Sequence, residues 1–488
     1  MTASFRDEQP RRDVEDDVSP AAWQADSEVA VVAPHRRGFL LPGEPIVDVE
    51  SYLASGGGRG LVTAIEIGPV ATIETVTNAG LRGRGGAGFP TGRKWASVRS
   101  AEHGPRFVVV NAAEGEPATF KDRTLIRRDP YRIVEGAAIA ALAVGAGAIF
   151  IATKRSYVRE VEALRRAAVE LTGTGLLQEL DVTIVEGPDD YLYGEEKALL
   201  EVIEGRDPLP RMLPPYELGL FASDSPVGWE SGSRPVTGGG GSNPTVVNNA
   251  ETLACVAHIL THGAEWFRSM GTASSPGTLI ATVVGDVVRP GVHEVDMGTP
   301  FSRLLALCGG ALPGRSFKAA LSGVSNPVLV ADAFDTPLTY EDFSASGSGL
   351  GSAGFVVYDD SMNMTLVAHA MSTFLAVQSC GQGPPCKQGT IAITEHLAAI
   401  RDGRAGDRIL GALEALLRSV TDANRCFLGA EEQRVVSSIL RAFPEDVATF
   451  LEGQQQALRT VVVPLIEDIT DDGTILFAHG ESPTHAAS

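Results

Sequence analysis

The chain has 488 residues, 44% hydrophobic and 6% aromatic, which is enough apolar mass for a sizeable core and rules out wholesale disorder. At roughly 100–200 residues per domain, this length predicts about three domains. The 40 Lys and Arg against 61 Asp and Glu give a formal charge of −21 with no basic face for nucleic acid, and five Cys are too few for a disulfide scaffold.

The first residues, MTASFRDEQPRRDVEDDVSP, are polar and mixed in charge, without the apolar run of a signal peptide. Residues 1–40 read as a disordered acidic arm. Residues 45–65 predict a helix interrupted at SYLASGGGRG, and residues 68–80 a second helix closed by Gly80. A glycine loop follows, then RFVVVNAAEGEP, a buried strand running into a polar loop. Residues 121–144 return to helix. The uncharged stretch Gly136 to Thr153 approaches the ~20 residues of a membrane span. Its Ala and Gly content, with Gly145 and Gly147 as breakers, predicts instead a buried helix, a turn and the strand AIFIA. A cytoplasmic protein is the expectation.

SYVREVEALRRAAVEL is amphipathic and helical, DVTIVEG is a third strand, and DDYLYGEEKALLEVIEG is a loop feeding a helix. Such alternation predicts an α/β domain with a mainly parallel sheet. Residues 208–244 are rich in Pro, Gly and Ser and form a long loop, the kind that is functional or disordered. PTVVNNAETLACVAHILTHGAEWF restarts a helix. From about 276 to about 360, short strands and turn signals indicate a small β-rich domain with one helix. Residues 363–458 are helical and hold three of the five Cys. Cys255 and Cys308 lie in apolar runs and read as core.

The glycine loop, GLRGRGGAGFPTGRKW, carries six glycines in residues 80–92. Gly83, Gly85 and Gly88 spell G-x-G-x-x-G, a weak dinucleotide signal here because the loop follows a helix rather than a strand. Such a loop exposes backbone N–H groups that nest anions, and Arg82, Arg84, Arg93 and Lys94 add charge suited to phosphate. Phe89, Pro90 and Trp95 are expected to anchor it against the alternative of a flexible surface loop. Three further loops are dense in polar groups: Asn111, Glu114 and Glu116; Tyr191, Gly194, Glu195 and Glu196; and Asn248, Asn249 and Thr252. Each alone reads as a cap or turn. Together with the glycine loop, at strand ends of an open sheet, they point to one nucleotide-like ligand.

GLRGRGGAGFPTGRKW, NAAEGEPATFKDR, YLYGEEKALLEVIEGR and PTVVNNAET, in this order over residues 45–450, resemble the NADH-binding flavoprotein subunit of respiratory complex I and the flavin subunits of NAD-linked formate dehydrogenases and hydrogenases. The resemblance implies a modified Rossmann-like FMN domain over residues 41–272, a ubiquitin-like β-grasp domain over 273–360, a helical iron–sulfur domain over 361–460, and a tail over 461–488. It implies FMN cradled by Gly83, Gly85 and Lys94, with Asn111 and Glu114 at the ring and Tyr191, Gly194, Glu195 and Glu196 lining it. Asn248, Asn249 and Thr252 would complete the phosphate and ribityl end, and NADH would stack near Phe89 and Glu116. The implied reaction is hydride transfer from NADH to FMN, then single-electron transfer to an iron–sulfur cluster or a ferredoxin-like or thioredoxin-fold partner in a hetero-oligomer. An FMN protein reduced by a ferredoxin-like partner, and a non-enzymatic scaffold, are the alternatives.

Three departures stand out. The family's Ser-Cys-Gly-x-Cys-x-Pro-Cys motif reads SCGQGPPC, so Gly383 replaces a ligand and Cys380, Cys386 and Cys426 remain. A cubane normally takes four thiolates, leaving a [4Fe–4S] cluster with a foreign ligand, a three-iron cluster, or none. Ala113 replaces the family's Asp. Ser97 and Leu213 replace an aromatic and a cation on the nucleotide side, where Tyr216 keeps a ring.

Overall fold

The computed structural model describes residues 39–478, apart from 103, 178–179, 223–241, 407, 454–458 and 472. The expected arm therefore lies outside the described residues up to position 38, as does most of the long loop before β4. At residues 39–41 the chain is already fixed: the backbone amides of Phe39, Leu40 and Leu41 donate to the Glu294 carboxylate, and Leu40 is buried.

The first part comprises α1 (Val49–Ala54), α2 (Arg59–Asn78), α3 (Thr91–Arg99), β1 (Phe107–Asn111), α4 (Lys121–Arg128), α5 (Pro130–Val144), β2 (Ala148–Lys154), α6 (Val158–Gly173), β3 (Asp181–Gly187), α7 (Glu196–Ile203), β4 (Thr245–Asn249), α8 (Ala250–His262) and α9 (Ala264–Arg268). α2 kinks at Gly68, next to Pro69, where the helix ladder loses a donor. The predicted helix over 121–144 is two helices, because Asp129 caps a new one that starts on Pro130; its side chain accepts from the Arg132 amide at 3.0 Å. The uncharged stretch divides into α5 and β2 as expected, and among the described residues no helix is long and apolar enough to cross a membrane.

The four strands form one parallel sheet in the order β3-β2-β1-β4. β4 corrects the sequence expectation, in which the segment PTVVNNAET runs straight into helix. TVVNN is a short strand whose last residue caps α8, the Asn249 side chain accepting from the Glu251 amide at 3.1 Å. From β1 the chain winds outward to β2 and β3, then returns to place β4 on the other side of β1. That reversal opens a crevice beyond the carboxyl ends of β1 and β4, where Asn111 pairs in register with Asn249.

The second part holds β5 (Thr278–Gly285), β6 (Gly291–Asp296), α10 (Phe301–Leu307), β7 (Phe317–Ser322), β8 (Leu329–Val330), α11 (Tyr340–Ala345) and β9 (Gly354–Asp359). Its sheet runs β6-β5-β9-β7-β8, mixed in direction, around an apolar core of its own that includes Phe301, Phe343 and Phe355. Two helices, rather than the one expected, cover it. The third part is a bundle of α12 (Met364–Gln378), α13 (Pro384–Arg401), α14 (Ile409–Ser419), α15 (Leu428–Ala442) and α16 (Pro444–Leu451). Within the expected tail, the described residues form a hairpin of β10 (Ile466–Ile469) and β11 (Ile475–Phe477). It docks on α4: Arg123 and Arg127 donate to the Glu467 and Ile469 carbonyls at 2.8 Å each, and Arg127 pairs with Asp468 at 2.6 Å.

The largest core joins α2, α5 and α8, whose facing residues are mostly Ala, Gly, Val and Ile. Small residues let the helices approach until backbone meets backbone. A Cβ on Gly136 would overlap the Leu253 carbonyl oxygen. Gly136→Ala is therefore expected to destabilise the chain by about 3 kcal/mol or more, seen as a lowered melting temperature. An unchanged melting temperature would show that α5 and α8 are free to separate.

Candidate functional site

A cavity of about 700 Å³ occupies the crevice at the sheet's switch point, a size in the usual range for cofactor pockets. The fourteen residues that the resemblance implies for FMN and NADH all line it: Gly83, Gly85, Phe89, Lys94, Asn111, Glu114, Glu116, Tyr191, Gly194, Glu195, Glu196, Asn248, Asn249 and Thr252. They arrive from four stretches of chain because each follows a strand or helix end around β1 and β4.

The glycine loop is a closed turn and not a free flap. Gly83 N–H donates to the Phe89 carbonyl and Thr91 N–H to the Leu81 carbonyl, each at 2.9 Å. The loop leads directly into the N-terminus of α3, and Thr91 and Lys94 of that helix line the same cavity as the loop glycines. Trp95 is fully buried and its indole N–H donates to Asn248 Oδ1 at 2.8 Å, as an anchor should. Phe89 corrects the expectation: it is 46% exposed and stands at the cavity's mouth.

Three of the four cations expected to serve phosphate point elsewhere. Arg82 pairs with Glu341 at 2.8 Å. Arg84 is buried, its guanidinium donating to the Thr278 and Pro276 carbonyls at 3.1 and 3.0 Å, so it fastens the loop to the root of β5. Arg93 is exposed above the Phe89 ring. Only Lys94 of the four lines the cavity, held by Glu196 at 3.3 Å and the Val247 carbonyl at 3.1 Å.

The polar loops are tied down by their own side chains. Asn111 donates to the Gly194 carbonyl at 2.7 Å. Glu114 accepts from the first amides of α4, those of Lys121, Asp122 and Arg123, at 2.9, 3.2 and 3.2 Å. Burial, and then Asp122, push its carboxyl up to about 7. Glu195 caps α7 through the Lys197 and Ala198 amides, and burial raises it to about 7 as well. The Thr252 hydroxyl accepts from the Arg84 amide at 2.8 Å. Glu116 reaches out of its loop into the turn after β7, accepting from the Val324 amide at 2.8 Å and the Ser325 hydroxyl at 3.0 Å. Gly323 makes room, since a Cβ there would overlap the Glu116 carboxyl.

Several lining groups were not found from the sequence: Lys121 and Asp122 on α4, Ser325, Asn326 and Ser352 from the second part, and Phe427, Glu431 and Arg434 from the bundle. KDR follows the NAAEGEP stretch and was the only one of these with a local signal. Ala113 lines the cavity, whereas Ser97, Leu213 and Tyr216 do not.

Cys255 and Cys308 are buried core thiols, as expected. Cys380, Cys386 and Cys426 are half-buried and pack against the core of the bundle. Cys426 lines the main cavity, and Cys380 lines a second one of about 660 Å³ beside Arg155 and Gln378. Burial raises the Cys386 thiol, and raises Cys426 to about 12. Among the described residues, no group of three or more His, Cys, Asp or Glu is arranged to hold a metal ion. The three expected ligands are one fewer than a four-thiolate set. At Gly383, with φ −108°, an added Cβ would lie 3.8 Å from the Cys386 Cβ.

Residues 76–258 match the Nuo51 FMN-binding domain, residues 280–320 the SLBB domain, and residues 366–449 the NADH-ubiquinone oxidoreductase-F iron–sulfur binding region. The chain is 37% identical over 420 residues to the second NADH-quinone oxidoreductase F subunit of Rhizobium meliloti, covering 83% of this chain and 94% of that one. It is 35% identical to the alpha subunit of the NAD-reducing hydrogenase HoxS of Cupriavidus necator, over 77% of this chain and 60% of that one. The crystal structure of an NAD+-reducing [NiFe]-hydrogenase in the H2-reduced state superposes with a TM-score of 0.70 at 32% identity, covering 83% of this chain and 67% of that chain. The four-loop cavity, the strand order around it and these likenesses agree: the chain belongs to the family of NADH-quinone oxidoreductase F subunits.

Proposed function

We propose that this chain is the FMN- and NADH-binding electron-entry subunit of a hetero-oligomeric oxidoreductase. The observation that carries the reading is the convergence of the glycine loop, Lys94 and three polar loops on one cavity at the sheet's switch point. The residues present fit FMN. Gly85 packs so closely on Asn249 that a Cβ would sit 3.1 Å from the Asn249 Cβ, so a side chain there would crowd Asn249 at the cavity wall. FMN, when bound, takes up a hydride from NADH and releases its electrons singly.

The chain's own residues bind and orient. The loop amides and Lys94 supply the positive end for a phosphate, with Asn248 and Asn249 beside them. Asn111, Gly194, Glu195 and Glu196 form the wall against a flat ring. Glu114 and Thr252 act one step back, Glu114 by fixing α4 and Thr252 by fixing the loop. Phe89 at the mouth and Glu116 deeper in mark the side from which a nicotinamide would enter. The electrons leave toward a ferredoxin-like or thioredoxin-fold partner; support for a partner comes from the relatives, which are named as subunits. No step is assigned to an iron–sulfur cluster, because the thiol set is one short.

Ser97 and Leu213, which replace an aromatic and a cation of the family, favour a second reading in which a protein donor reduces FMN. One anaerobic absorption titration separates the two. Bleaching of the flavin bands by stoichiometric NADH is the expected result, and bands that stay oxidised until a reduced ferredoxin is added would establish the second reading.

Lys94→Ala removes the one loop cation that lines the cavity. It is expected to weaken FMN binding about ten- to a hundredfold, read from flavin fluorescence, since a charged hydrogen bond is worth roughly 1.5–3 kcal/mol. Gly383→Cys adds a thiol beside Cys386 without backbone strain. After anaerobic reconstitution with iron and sulfide it should hold more iron per chain than the natural sequence. Equal iron in both would show that Cys380, Cys386 and Cys426 do not act as one site.

A further inference from the structure

Glu431 stands on the first turn of α15 with its carboxyl at the cavity wall, 9% exposed. The Tyr191 hydroxyl oxygen lies 2.8 Å from Glu116 Oε2 and 3.3 Å from Glu431 Oε2. A phenol has one hydrogen to donate. Glu116 takes it, because that contact is the shorter, while its other oxygen is already filled by the Val324 amide and the Ser325 hydroxyl. The contact between Glu431 Oε2 and Tyr191 Oη then joins two oxygens and needs a hydrogen of its own. Without one, two sets of lone pairs would face each other out of water, at a cost. The hydrogen has to come from Glu431.

We infer that Glu431 is a neutral carboxylic acid donating to Tyr191, which donates to Glu116, that the triad thus holds one proton beyond the phenol's own and shares it along this chain at the cavity wall, and that this proton favours binding of an anionic dinucleotide there. The surroundings agree. On α15 itself Arg434 faces Glu431, with its guanidinium 4.6 Å from the Phe427 ring centroid. Glu195 faces it from the start of α7, Glu116 from the loop after β1, and the Cys386 and Cys426 thiols from the bundle. Glu432 points away, accepting from the Ser372 hydroxyl at 2.6 Å. Arg434 is thus set against two carboxyls. Burial and Glu116 raise the Glu431 carboxyl to about 8.

The sign follows. Below that value Glu431 is neutral. Above it the cavity gains a negative charge, which repels the two phosphates of a dinucleotide, so affinity falls as pH rises. The binding half of the inference rests on the dinucleotide reading above; the shared proton does not.

The test uses the full chain loaded with FMN, with NAD+ as a non-reducing probe, from about pH 6 to pH 9.5. The dissociation constant should rise above about pH 8 by up to tenfold per pH unit, and Glu431→Gln, which keeps the donor but cannot titrate, should flatten the profile. In parallel, the infrared spectrum of the chain without added ligand should show a neutral-carboxyl C=O band at neutral pH that disappears on alkalinisation and is missing from Glu431→Gln. The same pH profile in both proteins, or no band lost in the variant, would overturn the inference. A chain that takes up neither FMN nor NAD+ at any pH overturns the flavin reading and the binding half together. The infrared band still decides whether the proton is shared.

Discussion

A single buried ammonium, that of Lys121, sits where the parts of this molecule meet. It is 2% exposed and lies 2.8 Å from Asp122 Oδ1, 2.9 Å from Glu251 Oε2 and 3.2 Å from Asn249 Oδ1. Burial works against its charge, but Asp122 and Glu251 more than offset this and hold it above its ordinary range. Glu251 in turn accepts from the Ile280 amide of β5 at 3.0 Å, and Asp122 accepts from Asn249 at 2.6 Å. So one charge fixes α4, α8, the end of β4 and the first strand of the second sheet. Removing the Lys121 ammonium would leave Asp122 and Glu251 buried without their cation, at a cost of about 3–5 kcal/mol.

That cluster also shows what the sequence could and could not disclose. The alternation that gives β2, α6 and β3 is local, and so is the buried run FVVV of β1. Their places followed from residue pattern alone. β4 was missed because a five-residue strand that ends in Asn-Asn and starts a helix at once has no room to show a period. Charges were counted correctly around the glycine loop, but their directions were not. Arg84 turns inward because carbonyls of Pro276 and Thr278, some 190 residues away, are waiting for it.

The site followed the same rule. Each lining residue that the motifs flagged is near a strand or helix terminus, where polar side chains cap helices and tie loops at the edge of the crevice. Those that escaped notice come from elements with ordinary local explanations. Lys121 and Asp122 look like the solvated start of a helix, and Glu431 like the acidic first turn favoured by any helix dipole. Their second role depends on which other surface they meet, which is tertiary information. The three cysteines make the opposite case: the missing partner, at Gly383, is plain once SCGQGPPC is set against the motif of the family it resembles.

The cavity is bounded by all three parts of the fold. Glu116 of the first grips the turn after β7 of the second, and Tyr191 reaches Glu431 of the third. A cofactor seated there would therefore be a mechanical joint as well as a reagent. The second sheet and the bundle already share one apolar core, so an occupant adds its contacts to parts that are joined without it, and the loss of any one part becomes the loss of its binding energy. Occupancy is thereby written into stability: the loaded chain unfolds at a higher temperature than the chain alone.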